Sequence, residues 1–454
     1  MTIQPSSPAL IEAATGRTLS HAELKSLSHE IASNFVSTGK KHLFLILTSN
    51  RISIIAALLA AEEAGHAVLL CDATASPAYL RKLVKLYQPE HIITPHTLVY
   101  DAGNEYQKAP IVEELQIYTR KNTPQGDIHP DLALLLTTSG STGSPKCVRL
   151  SKINLSTNTI DIIEALGITP DDRAAAHMPL AYSYGLSVLN THVAAGASAV
   201  LIEESMTSNK FWSALRDYKV TTLPGVPYHF NMIQRLGFSK LDLPDIKTMT
   251  QAGGAMSPDV IRHFANSLEE RKGQFFVMYG QTEAGPRMTV LPADQVLHKI
   301  GSVGLALPRG KITIEEDEVI YSGANVMMGY AENRADLSLG DETKGRLATG
   351  DLGSLDQDGF LSITGRKSRI AKIDGMRVNL DEVEALASSL VPTAALDHDK
   401  RLILFTTGDA VIVRQHIADN TTVHFSRIVS RTIPALPLLA NGKVDYRALE
   451  KQLP

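Results

Sequence analysis

The sequence predicts an α/β fold built on a mainly parallel sheet covered by helices. Two observations carry this: short apolar runs alternate with amphipathic segments between residues 20 and 136, and cap or turn chemistry stands at the junctions. Ser20 with Glu23 forms a capping box that opens a helix stopping near Gly39, and residues 42–47 then read as a buried strand. Residues 52–64 read as a helix ended by Gly65, and residues 67–71 as the next strand. Ser76-Pro77 caps a further helix before a strand at residues 91–94. A polar connection over residues 103–131 leads to the apolar strand 132–136. This βαβ rhythm places any ligand crevice at the carboxyl ends of the strands.

Composition narrows the function before any motif is read. The 454 residues carry 44 basic and 48 acidic side chains, a net charge of −4, with 44% hydrophobic residues. These are the proportions of a soluble globular protein of two or three domains, long enough to bury a substrate in a cleft. No basic face is evident, so nucleic acid is not an expected partner. Cys71 and Cys147 are too few for a disulfide framework, which predicts a reducing compartment, the cytoplasm. The opening Met-Thr-Ile-Gln-Pro-Ser-Ser has neither a basic start nor an apolar stretch, and no membrane span is expected.

The stretch after the strand 132–136 is the most informative. Thr137-Thr138-Ser139-Gly140-Ser141-Thr142-Gly143-Ser144-Pro145-Lys146 packs hydroxyls, glycines and one lysine into a single loop. Glycine lets backbone N–H groups approach an anion, hydroxyls donate further hydrogen bonds, and lysine adds a point charge, a combination suited to polyphosphate. A solvated Ser/Gly turn is the plain alternative, although linkers of that composition seldom follow a buried strand and end in Pro-Lys. The Walker loop needs Gly-Lys-Ser/Thr at its end, and here Pro145-Lys146-Cys147 stands instead. Zinc spacings, a Gly-x-Ser-x-Gly elbow and an opening Gly-x-Gly-x-x-Gly are all missing from the sequence.

This loop resembles that of the AMP-forming adenylate synthetases, the superfamily of acyl-CoA synthetases, peptide-synthetase adenylation domains and beetle luciferase. Further stretches follow in the family's order: Gly253-Gly254-Ala255, Tyr279-Gly280-Gln281-Thr282-Glu283, Gly301-Ser302-Val303-Gly304, Thr349-Gly350-Asp351, Gly365-Arg366 and Asn441-Gly442-Lys443. The resemblance implies a large N-terminal domain of βα-layered sheets, residues 1–365, which binds ATP and the acid. A small mobile C-terminal α+β lid, residues 366–454, completes the α/β fold. It also implies a ligase that converts a carboxylic acid to acyl-AMP with Mg2+ and ATP and passes it to a pantetheine thiol. The adenylation step brings an anionic nucleophile to an anionic phosphate, so donors and metal must neutralise developing charge.

By the same resemblance Thr138, Ser139, Gly140, Ser141, Thr142, Gly143 and Lys146 hold the ATP phosphates. Tyr279 lies on the adenine, Gly253, Gly254 and Ala255 at the base edge, and Thr282 at the α-phosphate. Glu283 holds magnesium, a hard cation that takes carboxylate and phosphate oxygens. Asp351 accepts from the ribose hydroxyls, Arg366 binds ribose or phosphate, and Lys443 enters on the lid for catalysis of adenylation. Gly375 lies beside the pantetheine tunnel. Read alone, Glu283 and Asp351 are acidic loop residues of the kind that solvates a surface, Tyr279 is core packing, and Asn441-Gly442-Lys443 is a turn with a solvated lysine.

Two positions depart from the family pattern. Ser368 stands at the hinge, where Asp or Lys is usual, and the lid is short. The acid pocket is expected at Tyr182, Ser183, His229, Gln251 and Gly254, side chains that could equally fill core. Ser183 stands where amino-acid-activating relatives place aspartate, and an ammonium buried without a partner is costly, which favours an acid lacking the α-amine. Tyr182 replaces the histidine of many acyl-CoA relatives. CoA is the default thiol acceptor, with a phosphopantetheinyl carrier protein as the alternative. A non-catalytic nucleotide-binding relative is the alternative from another class; it would be signalled by loss of the phosphate loop, Glu283 or Lys443, all present.

Overall fold

In the computed structural model the described residues are 7–35, 39–137, 146–373, 376–421, 423–439 and 443–453. They fall into two compact units. The first comprises Met1–Ile300, Ala306–Lys311 and Ser322–Leu347, and the second Gly301–Leu305, Ile312–Tyr321 and Ala348–Pro454.

The alternation read from the sequence builds the first unit's eight-stranded sheet. Leu43–Thr48, Ala67–Asp72, His91–Pro95 and Leu132–Thr137 are its parallel strands, and the apolar runs that predicted them are buried on both faces. The Ser20–Glu23 capping box is formed, with the Ser20 N–H donating to Glu23 at 2.8 Å, but its helix, His21–Ala32, ends sooner than Gly39. Ser76 caps Pro77–Tyr87, with proline in the first turn as its fixed φ favours. The connection over residues 103–131 contains two further strands, Tyr106–Lys108 and Leu115–Arg120, paired antiparallel at the sheet edge. After Leu132–Thr137 the chain returns as Cys147–Ser151, with Thr137 opposite Cys147, and Gly329–Ala331 pairs on its far side.

The second sheet of this unit has nine strands, and its middle positions the site. Arg173–Ala176 lies between Ser198–Leu201 on one side and Thr222–Gly225 on the other, followed by Thr248–Gln251 and Gln274–Tyr279, all parallel. The chain therefore leaves Arg173–Ala176 first to one side and later to the other, which creates a switch point with an open crevice at the carboxyl ends.

Most of a four-stranded sheet belongs to the second unit, in the order Gly310–Glu315, Glu318–Gly323, Arg346–Leu355 and Leu361–Arg366, with the last two antiparallel. A β-hairpin, Ile370–Ile373 with Met376–Asn379, precedes a three-stranded sheet of Thr393–His398, Arg401–Thr406 and Ile428–Thr432. The helices Leu380–Ser388 and Ala410–Asn420 cover that sheet, burying Val383, Val413 and Ile417 against Leu402, Leu404 and Ile428. Among the described residues no helix is long and apolar enough to cross a membrane.

Candidate active site

Four adjacent parallel strands end beside one another, and the segment after each carries residues singled out from sequence. Ala176 leads to His177 and Tyr182, Gly225 to His229, Gln251 to Gly253–Ala255, and Tyr279 to Thr282 and Glu283. Tyr182 caps the helix Ser183–Ala194, so Ser183 begins that helix facing the crevice segment. The hydroxyls of Ser183 and Thr282 share a hydrogen bond of 3.0 Å. This joins the acid-pocket prediction to the nucleotide prediction at one point.

Local packing explains the glycines. At Gly253, φ is +87° and a Cβ would stand 2.6 Å from the Tyr182 hydroxyl, so only glycine lets this strand end pass the tyrosine. A side chain at Gly280 would strike the backbone of Pro286 and Arg287. Gln251, nearly inaccessible, donates from Nε2 to the Gly254 carbonyl at 2.7 Å and so holds the Gly253–Ala255 turn. Gly254 and Ala255 are exposed. The pocket imidazoles are neutral: burial pulls His177 down to about 4 and His229 to about 3. His177 donates to the Pro224 carbonyl at 2.8 Å, and His229 Nδ1 accepts from the Val226 N–H at 3.3 Å.

Glu283 lies in the 3₁₀ turn Thr282–Ala284, half-buried. Its Oε1 accepts from the Tyr330 hydroxyl at 3.0 Å, and the Lys146 ammonium sits 3.6 Å from the centre of the Tyr330 ring. Register explains the meeting, because Tyr330 pairs with Val148 on the strand that Lys146 opens. Burial, then the charge of Glu283, pushes the Tyr330 phenol well above its ordinary range, so it stays a donor. Buried Arg149 fastens this edge by donating to the carbonyls of Tyr330 at 3.0 Å and Met328 at 3.3 Å, and pairs with Glu342.

The donor set fits magnesium and a nucleotide. A carboxylate oriented by a phenol supplies the hard oxygen that such a cation takes. Gln281 Nε2, between Tyr279 and Thr282, is one of several buried polar side-chain atoms with no hydrogen-bond partner among the described residues. The predicted phosphate contacts Thr138, Ser139, Gly140, Ser141, Thr142 and Gly143 lie outside the described residues, as does Gly375.

In the second unit Asp351 is 4% exposed and stands opposite Arg366 across two antiparallel strands, accepting from its Nε at 2.9 Å. Arg366 ends its strand, exposed, and the 3₁₀ turn Lys367–Arg369 follows, with Lys367 donating to Glu318 at 2.8 Å. Lys443 is half-buried, and its carbonyl accepts from the Leu439 N–H at 2.8 Å. The helix after it is anchored by Tyr446, whose hydroxyl donates to Glu384 at 2.8 Å and whose ring carries Arg369.

Sequence reading missed Tyr330 and Arg287. Arg287 is 2% exposed and donates to Ser187 Oγ at 2.6 Å and Met278 Sδ at 3.2 Å, with its guanidinium 4.6 Å from the Tyr184 ring. A charged residue inside the apolar-looking run Pro286 to Leu291 was the available signal.

A model of the AMP-binding enzyme family matches residues 2–331. The chain is 30% identical to 2-succinylbenzoate–CoA ligase of Bacillus velezensis, over 82% of this chain and 77% of that one. It is 25% identical to 4-coumarate-CoA ligase 1 of Narcissus pseudonarcissus, over 98% and 91%. In fold it matches the o-succinylbenzoate CoA synthetase of Bacillus subtilis with its acyl-adenylate, at a TM-score of 0.77 and 22% identity, over 99% of this chain and 96% of that one. The ATP-bound RpMatB-BxBclM chimera matches with 0.79 and 19%, over 100% and 97%.

Proposed function

Because this chain belongs to the AMP-binding enzyme family and is an AMP-forming acid–thiol ligase, we propose a residue-level account of its two half-reactions. The enzyme activates a carboxylic acid with ATP, releases pyrophosphate and transfers the acyl group to the CoA thiol. The observation that supports our account is the set of contacts Ser183–Thr282 and Glu283–Tyr330–Lys146, made by the residues to which the account gives the acid pocket, the α-phosphate, the metal and the phosphates.

In this account Lys146 and the hydroxyls of residues 138–142 hold the phosphates. Tyr279 packs on the base, with Gly253, Gly254 and Ala255 at its edge. Thr282 donates to the α-phosphate as the substrate carboxylate attacks, and Glu283 carries Mg2+, which when bound neutralises phosphate charge. Tyr182, Ser183, His229 and Gln251 border the acid. Asp351 accepts from the ribose hydroxyls and Arg366 steadies that carboxylate or the phosphate. Residues 366–454 act as the lid, turning about Ser368; Lys443 reaches the α-phosphate for adenylation, then withdraws so that pantetheine can enter past Gly375. A carrier protein would present the same pantetheine arm, and the CoA-ligase relatives favour CoA.

Exchange of labelled pyrophosphate into ATP, screened over aryl, short-chain, fatty and amino acids, tests the account. Exchange driven by an acid without an α-amine is expected; exchange with amino acids alone would refute the Ser183 reading.

A further inference from the structure

We propose that Glu318 is a positioning residue for nucleotide binding: its one carboxylate holds both strand segments that carry Asp351 and Arg366, and so sets their aim at the ribose. This rests on the ribose reading of Asp351 given above and extends it to a residue that acts through Asp351.

Glu318 opens the strand Glu318–Gly323, and its side chain is only 13% exposed. Its two oxygens serve two different segments. Oε1 accepts from the Gly350 N–H at 2.9 Å, inside the strand Arg346–Leu355. Oε2 accepts from the Lys367 ammonium at 2.8 Å, just past the end of Leu361–Arg366. Gly350 immediately precedes Asp351, Lys367 immediately follows Arg366, and Arg366 Nε donates to Asp351 at 2.9 Å. The contacts therefore close a ring from Glu318 through Gly350 and Asp351 to Arg366 and Lys367, and back. Sheet order makes this possible, because the strand of Glu318 lies beside that of Asp351, which lies beside that of Arg366.

The backbone before Asp351 shows what the carboxylate holds in place. At Gly350 φ is +73°, a conformation open to glycine, and side chains take the next two N–H groups: Glu318 that of Gly350, and the Thr349 hydroxyl that of Asp351 at 3.1 Å. Thr349 in turn donates to the carbonyl of Val319, beside Glu318, at 2.7 Å. The strand pairing then shifts register between Leu352 and Gly353. An irregularity of this kind re-aims the side chain it carries, and here that side chain is the nearly inaccessible Asp351. Packing alone would be served by an apolar residue, as at Val319 and Ile320; a carboxylate gives up water here to satisfy two donors. Without it the Gly350 N–H loses its acceptor, and the segment relaxes with Asp351 on it.

The test is calorimetric binding of ATP, 2′-deoxy-ATP and 3′-deoxy-ATP with Mg2+ to wild type, Asp351→Ala, Glu318→Ala, Glu318→Gln and Lys367→Met. Wild type should bind ATP about tenfold or more tightly than either analogue, and Asp351→Ala should close that gap. Glu318→Ala should cut the gap to about threefold or less, by weakening ATP more than either analogue. Glu318→Gln keeps an acceptor for Gly350 but loses the charge that holds Lys367. It and Lys367→Met should each give an intermediate gap, and the double variant one no smaller. No wild-type gap, or one that Asp351→Ala leaves open, would overturn the ribose reading and this proposal together. A gap closed by Asp351→Ala but kept at full size by Glu318→Ala would overturn this proposal alone. Equal weakening of all three nucleotides by Glu318→Ala, the mark of a merely structural residue, would do the same. Should the alanine variant not fold, a wild-type gap in both Glu318→Gln and Lys367→Met would overturn it.

Discussion

Tyr330→Phe removes a single oxygen from the site and leaves the ring in place, so it isolates the hydrogen bond to Glu283. That bond is 3.0 Å long and ends on a carboxylate. Hydrogen bonds to charged groups contribute about 1.5–3 kcal/mol, and the half-buried Glu283 argues for the lower end of that range. A loss of about 1–2 kcal/mol corresponds to roughly a 5–30-fold change in an equilibrium constant. Partners that orient a metal ligand cost about 10–100-fold when removed, an overlapping range. The expected outcome is therefore about a tenfold rise in the Mg2+ concentration giving half-maximal pyrophosphate exchange.

The same shift should appear without turnover, in the Mg2+ dependence of binding of a fluorescent ATP analogue. Tyr330→Leu removes the ring beneath Lys146 as well, and should add the cation–π contribution of about 0.5–2 kcal/mol to nucleotide binding. If Tyr330→Phe has the wild-type Mg2+ dependence in both assays, the phenol does not position Glu283 and the reasoning fails.

Lys443→Ala should lower acid-dependent pyrophosphate exchange by about 100-fold or more, the scale of one lost transition-state donor, while pre-formed adenylate is still thiolated; equal loss of both steps contradicts the lid assignment. Asp351→Ala should weaken ATP binding about tenfold or more by removing charge-assisted acceptors, and unchanged affinity by calorimetry removes the ribose role. Stability should fall on acidification between about pH 6.5 and pH 4. Burial lowers His91 and His229 to about 3 and His66, His177 and His192 to about 4, so across that window the unfolded chain binds protons that the folded one refuses. Each contributes up to about 1.4 kcal/mol per pH unit there, and urea midpoints at pH 7 and pH 5 that coincide would refute it.

Regular elements were legible because their signals are local. The box at Ser20–Glu23 and the Ser76-Pro77 cap depend on residues within one turn, and the structure forms both. The strand Leu115–Arg120, paired between His91–Pro95 and the edge strand Tyr106–Lys108, contains Leu, Ile and Tyr but lies inside a polar connection, with no helix after it to complete the rhythm. Residues after the strand ends could be named from motifs, but their convergence could not. That Ser183 meets Thr282, or Tyr330 meets Glu283, follows from strand order, and no spacing within 454 residues encodes it.

Buried charge in the first unit depends on the same long-range convergence. Glu90 takes Arg334 and Glu342 takes Arg149, partners 244 and 193 residues apart in the chain. Arg287 is held instead by neutral groups, the Ser187 hydroxyl and the ring and hydroxyl of Tyr184. A guanidinium cannot be buried without such partners, so a lone arginine inside an apolar run announces that partners exist without saying which they are; strand order supplies them.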